Sequence, residues 1–314
     1  MSHGKRLVIH VGTFKTGTSS LQNALASLPS DGDVLYPRSG LRTNEPETGI
    51  RHSPLVYSYT DDKVHYWRRL VDRLVREINE SRSRLVVLSA EPWSRRKSHE
   101  GLQELVNLLA SECGVTPEAV CYFRNRFGYA RSLYREFTRV RGNRRPSQPY
   151  LRNVRDMFDY LALAESFAEI FRDQVSYYVI ERVSDVVEHF FRHIGLPYQV
   201  RGGTLNRKCD ALEAEVHRIC NELGIKASQV DWRSTLQDLG IDLGRCFVER
   251  LPKDVLVSDD AYWHEFSRRT ALPEEEVALL SREPDDDPRL LDVALIRPLL
   301  REVIMRAPVI QNAN

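Results

Sequence analysis

Leu7-Val-Ile-His-Val-Gly-Thr-Phe-Lys-Thr-Gly-Thr-Ser-Ser-Leu-Gln22 decides the fold. Leu7 to Val11 is an apolar run short enough for a buried strand. A turn rich in glycine and hydroxyl side chains follows, carrying one lysine, Lys15. Leu21, Leu25 and Leu28 then recur at helical spacing. A strand, a glycine turn and a helix N-terminus in that order form a phosphate cradle. Backbone N–H groups converge on an anion, and the lysine adds a point charge. The loop of nucleoside-triphosphate enzymes reads G-x-x-x-x-G-K-[ST], with its lysine after the second glycine. Here Lys15 lies between Gly12 and Gly17, and Thr18 stands where that lysine would be. The stretch is an anion cradle of another kind.

Working outward, apolar runs at Leu85–Ser89, Val120–Phe123 and Val175–Ile180 alternate with helical patterns. Helices are expected at 17–28, 63–80, 102–113, 127–140, 154–172 and 183–194. This β-α rhythm predicts a parallel sheet covered by helices on both faces. Such sheets bind ligands at the carboxyl ends of their strands, where Lys15, Glu91 and Arg124 fall. The fold class expected is α/β: three layers, P-loop-like, with a central parallel sheet flanked by helices and a mainly helical C-terminal region. Residues 1–210 are expected to form the core and 211–314 a helical extension packed on it. Residues 29–62 read as a long polar connection with one short strand at 34–36, and such connections are often functional. In the last segment, 290–305, Pro298 is expected to interrupt a helix.

Gly12-Thr-Phe-Lys-Thr-Gly-Thr-Ser-Ser-Leu-Gln22 closely resembles the 5′-phosphosulfate loop of the sulfotransferases, whose usual core is K-[ST]-G-[ST]-[ST]. A second match lies in Val120-Cys-Tyr-Phe-Arg-Asn-Arg-Phe-Gly-Tyr-Ala-Arg-Ser-Leu-Tyr134. The family's 3′-phosphate site begins with an arginine at a strand end and has a serine eight residues on. Arg124 and Ser132 keep that separation, with Arg126 where proline is usual. Val34-Leu-Tyr-Pro-Arg-Ser-Gly40, Tyr178-Val-Ile-Glu-Arg182 and the segment around Ile194-Gly-Leu196 are similar to a bacterial branch, so the likeness covers about residues 5–210.

The resemblance implies sulfuryl transfer from 3′-phosphoadenosine 5′-phosphosulfate (PAPS) to a hydroxyl of a carbohydrate, glycolipid or small metabolite. Adenosine 3′,5′-bisphosphate is the product, and no metal is required. It implies that Thr13, Phe14, Lys15, Thr16, Gly17, Thr18 and Ser19 hold the phosphosulfate, with Lys15 at the leaving oxygen. Arg124 and Ser132 would hold the 3′-phosphate. Arg207 and Lys208 fall where relatives carry a basic phosphate-contacting segment. Two residues stand as candidates for the base that takes the acceptor's proton. Glu91 follows the strand Leu85–Ser89, and His52 lies in the long connection. Glu91 paired with an arginine, and His52 as an ordinary loop residue, are the plainer roles for both. Two other functions stand beside transfer: a P-loop kinase, which the place of Lys15 disfavours, and a nucleotide-binding relative without turnover.

Composition sets the outer limits. The chain has 314 residues, 42% of them hydrophobic, enough for a sizeable core. Forty-five basic and 44 acidic residues leave a net charge of +1, so no global field favours nucleic acid. Five scattered cysteines contain no C-x-x-C pair and are expected to be reduced. No N-terminal apolar run and no stretch of about 18 apolar residues is present, so neither a secretory signal nor a membrane span is expected, and the chain is expected in the cytoplasm.

Overall fold

The computed structural model describes residues 4–29, 32–42, 50–197, 210–240, 247–283 and 291–307. They belong to two compact units. The first takes residues 1–125, 156–206 and 258–281, and the second residues 126–155, 207–257 and 282–314.

The first unit is an α/β layer structure around five parallel strands. These are β1 (Arg6–Gly12), β2 (Val34–Leu35), β3 (Leu85–Ser89), β4 (Thr116–Phe123) and β5 (Val175–Val179), in the order β2-β3-β1-β4-β5. Every pairing is parallel, with Ile9 opposite Leu88 on one side and Ala119 on the other. The chain leaves β3 on one side of β1 and returns as β4 on the other, so the strand order reverses around β1. A crevice at such a reversal is where open sheets place ligands.

The strands lie where apolar runs predict them, because a strand covered on both faces needs no polar alternation. Leu7, Val8, Ile9 and Val11 are fully buried, and each is worth about 2 kcal/mol of transfer free energy. Helices α1 (Thr18–Ala26) and α8 (Val186–His193) cover one face through Leu21, Leu25, Val187, Phe190 and Phe191. Helix α2 (Ser53–Thr60) falls inside the long connection, which the sequence reads as nearly structureless. Pro54 in its first turn and buried Leu55 and Val56 account for it. Helix α3 (Val64–Glu80) buries Trp67, Leu70, Val71, Leu74 and Ile78, a stripe at helical period.

Helix α4 (His99–Cys113) follows two short 3₁₀ turns at Glu91–Ser94 and Arg96–Ser98. The single helix expected at 154–172 is instead a 3₁₀ turn, Arg155–Phe158, and a helix from Tyr160 to Phe171. The Asp159 carboxylate accepts the Ala162 N–H and starts that helix afresh.

The second unit opens with α5 (Arg126–Arg141) and α6 (Ser147–Asn153), so the helix just described is α7. It continues with α9 (Ala211–Leu223), α10 (Trp232–Asp238), strand β6 (Phe247–Val248) and α11 (Lys253–Leu256). Helices α12 (Asp260–Thr270) and α13 (Glu274–Ser281) belong to the first unit. Strand β7 (Leu291–Asp292), parallel to β6, and α14 (Arg297–Arg306) close the second. Pro298 sits in the first turn of α14, where its missing N–H has no partner to lose, so it begins a helix rather than interrupting one. The core of this unit gathers Leu212, Val216, Ile219, Trp232, Leu236, Leu300 and Val303. Beside it, Glu215 and Arg218 form an ion pair with both side chains 2% exposed.

No helix among the described residues is long and apolar enough to cross a membrane. Cys121 and Cys220 are buried free thiols and Cys113 is half-buried.

Candidate functional site

The loop after β1 is held on both sides. The Thr13 amide donates to Tyr122 O at 2.9 Å and the Thr13 hydroxyl to the same carbonyl at 3.1 Å, tying the loop to β4. The Thr16 hydroxyl donates to Thr13 O at 2.8 Å and closes the turn on itself. Two glycines are needed here. Gly12 has φ 102°, and a Cβ on it would lie 3.3 Å from Glu91 Cα. Gly17 has φ 82°, and its Cβ would fall 2.7 Å from Val186 Cγ1. Lys15 is also left-handed, at φ 67°. Few side chains tolerate that region, so the turn has a defined shape that a generic loop would not keep.

Gly17 is the N-cap of α1 and brings no capping side chain of its own. The first turn, Thr18 to Leu21, has no acidic residue. The helix therefore presents backbone N–H groups and the positive end of its dipole beside Lys15. Thr16 and Thr18 are buried with their hydroxyls 3.4 Å apart, and Lys15 and Ser19 are half-buried. Phe14 packs beneath the guanidinium of Arg95, 6.0 Å from its ring centre.

Arg124 leaves the end of β4 and donates through Nη1 to Lys15 O at 2.9 Å. Its own carbonyl accepts from the Tyr160 hydroxyl at 2.7 Å, and the next amide, Asn125, donates to Glu181 at 2.9 Å. The strand end is thus fixed from both sides. Among the described residues the other guanidinium nitrogens of Arg124 have no partner. Ser132 lies half-buried on α5, in the second unit. Arg207 and Lys208 lie outside the described residues.

Glu91 begins the 3₁₀ turn after β3 and is 7% exposed. Its carboxylate accepts from Arg51 Nη1 at 3.2 Å, with both side chains 10% exposed. The Tyr36 ring lies in the field of both charges. Burial, and secondarily the Glu91 charge, pushes its phenol above its ordinary range.

His52 is fully buried and both its ring nitrogens are engaged. Nδ1 accepts the Ser89 amide at 3.2 Å, so the proton sits on Nε2, which donates to Pro37 O at 2.9 Å. The His52 amide also donates to Ser89 O at 2.9 Å. Burial lowers its pKa to about 4 against the hydrogen bonds that raise it. A neutral imidazole spent on two backbone groups is a brace between the strand end and the long connection.

Sequence reading passed over what lies below. His10 and Ser89 face each other across β1 and β3, with Nδ1 to Oγ 2.9 Å, and Gln22 of α1 donates to the same hydroxyl at 3.1 Å. All three side chains are completely buried, and burial drops His10 to about 3. His10 interrupts an otherwise apolar strand, which was the available signal. Its partners come from register and not from spacing. Arg51 is a second such residue: only the fold brings it to Glu91, 40 positions away.

Lys15, Arg124, Glu91 and Arg51 are thus brought to the carboxyl ends of β1, β4 and β3 within one unit. The donors suit a phosphate or sulfate ester: an ammonium, a guanidinium, threonine hydroxyls and a helix N-terminus with a glycine N-cap. No group of three or more metal-binding side chains converges among the described residues.

Compared with solved structures, the chain is similar to a sulfotransferase from Alicyclobacillus acidocaldarius, at 14% identity and TM-score 0.41, over 90% of this chain and 98% of that one. It is also similar to the sulfotransferase domain from the curacin biosynthetic pathway, at 7% identity and TM-score 0.36, over 68% and 83%. Likenesses this distant carry no argument about chemistry. No family model and no curated protein matches the chain.

Proposed function

We propose that the first unit is the donor-binding core of a sulfotransferase. It would move a sulfuryl group from PAPS to a hydroxyl of a carbohydrate, glycolipid or other small acceptor. One observation carries the reading: a lysine-bearing glycine turn on a helix N-terminus with a glycine N-cap, flanked by Arg124 and Glu91 at the neighbouring strand ends. Bound there, the donor supplies an electrophilic sulfuryl group.

The chain's residues do the rest. Lys15 and the first amides of α1 hold the 5′ end, and the ammonium places positive charge where the leaving oxygen develops negative charge. Arg124 offers its remaining N–H groups to the 3′-phosphate; for Ser132 the resemblance of the Arg124–Ser132 stretch to the family's 3′-phosphate motif is the support. Glu91 takes the proton of the acceptor hydroxyl, with Arg51 holding the carboxylate in place. His52 orients the strand end and moves no proton, since both its nitrogens are occupied.

Calorimetric titration with adenosine 3′,5′-bisphosphate, ADP and ATP with magnesium tests this reading. The expected result is binding that requires the 3′-phosphate and weakens about tenfold or more in Arg124→Ala, the effect of losing a charge-assisted contact. Binding of magnesium-ATP alone would return the loop to the kinase class.

A further inference from the structure

Apart from bringing Arg51 and His52 to the candidate site, the described residues of the connection from β2 to α3 build a second concave feature. A hollow of about 340 Å³ is lined by Leu41, Pro54, Leu70, Tyr66, Arg38 and Arg73, all in the first unit. Tyr66, Leu70, Arg73 and Glu77 lie at i, i+4, i+7 and i+11 along α3 and form one stripe, so they make a continuous wall. The opposite wall is pinned to it. The Glu77 carboxylate accepts the amides of Arg38 and Ser39 at 2.7 and 2.8 Å.

The Glu77 carboxylate directs its hydrogen bonds to those amides and forms no ion pair with either arginine, although its charge stays beside them. Among the described residues no acidic group pairs with Arg38 or Arg73. Arg69 adds a third cation, its guanidinium 5.8 Å over the Tyr66 ring. Tyr66 is 45% exposed, a large aromatic left at the rim. The hollow is therefore apolar at Leu41, Pro54 and Leu70, aromatic at one edge and lined by the guanidiniums of Arg38 and Arg73 at the others, with Arg69 at the Tyr66 rim. Guanidinium forks match planar and tetrahedral oxyanions, and the volume suits a single ring or short chain.

We infer that this hollow binds an organic anion: one sulfate, phosphate monoester or carboxylate on a ring, clasped by Arg38 and Arg73 with the ring against Tyr66 and Leu70. The wall that carries Arg38 connects to the candidate site, since Pro37 O accepts from His52, which is bonded to Ser89 two residues before Glu91. Identifying the anion as the acceptor's distal group rests on the sulfuryl-transfer reading; the binding itself does not.

Saturation-transfer NMR and calorimetry with 4-nitrophenyl sulfate, phenyl phosphate and benzoate test the inference, with 4-nitrophenyl glucoside as the neutral control. At least one anionic probe should bind and the glucoside should not. The ranking of the three probes tells sulfate, phosphate and carboxylate apart. Arg38→Ala/Arg73→Ala should weaken the bound probe about tenfold or more while leaving affinity for adenosine 3′,5′-bisphosphate unchanged. Lys15→Ala should do the reverse. Equal binding of the glucoside, unchanged affinity in the double variant, or loss of all probe binding once saturating bisphosphate fills the cradle would each overturn the site. If the bisphosphate does not bind at all while the probe still needs both arginines, the transfer reading fails and this site stands.

Discussion

Lys15 and Glu91 divide the proposed chemistry between them, and each can be removed with a different expected signature. Lys15 is half-buried in a turn whose shape is kept by Thr13, Thr16 and the two glycines. Lys15→Ala should leave the fold and its melting temperature nearly unchanged and cut turnover by about two orders of magnitude or more, the usual loss for one preorganised donor at a developing charge. Near-normal turnover would remove the lysine from the reaction. Glu91 differs because it is buried against Arg51. Glu91→Gln keeps the shape and an acceptor oxygen but removes the buried negative charge that faces Arg51. We therefore expect loss of rate with bisphosphate affinity retained, together with a loss of stability of a few kcal/mol. A rate equal to wild type would show that the carboxylate serves only as a partner for Arg51.

At the scale of elements, the entry into α1 carries the geometry. Gly17→Ala introduces a Cβ at φ 82° and places it 2.7 Å from Val186 Cγ1 on α8. The left-handed backbone alone costs about 1–2 kcal/mol for a residue with a Cβ, and the contact requires the Val186 side chain to turn or α8 to shift. Bisphosphate affinity should fall along with the melting temperature. Adding Val186→Ala should recover part of the stability by removing the clash, while the strain at φ remains. Full stability in Gly17→Ala alone would mean the turn adapts and the glycine's role is not steric. Elements of this kind were legible in the sequence because their signals are local. Four apolar runs gave the main strands, and Gly12, Lys15 and Gly17 gave the turn. Several missed elements depend on one or two side chains. Asp159 restarts a helix, Pro298 begins one, and Leu55 and Val56 bury a short helix in a stretch that reads as polar.

Across the whole molecule, what sequence could not convey is which distant residues meet. Strand order brings His10 to Ser89 and Gln22, and the path of the long connection brings Arg51 to Glu91 and His52 to Ser89. Spacing along one chain encodes none of these pairs. The result is a first unit with two completely buried neutral histidines beneath its candidate site, and this makes its stability depend on pH. Unfolded, each imidazole takes a proton below about 6.5, whereas in the fold His52 does so only near 4 and His10 near 3. Between those values the unfolded chain binds more protons than the folded one. Stability is therefore complete above about pH 7 and declines as the pH falls. The two groups together should remove about 4 kcal/mol by pH 5, at a slope approaching 2.7 kcal/mol per pH unit. Urea unfolding of the protein at pH 7.5, 6 and 5 measures this, and His10→Gln should reduce the slope, the remainder coming from His52 and from His99, His189 and His193, which burial also lowers. A stability that stays level from pH 7.5 to 5 would mean these imidazoles are already protonated in the fold, and the hydrogen bonds assigned to His52, with Nδ1 as acceptor, would have to be reversed.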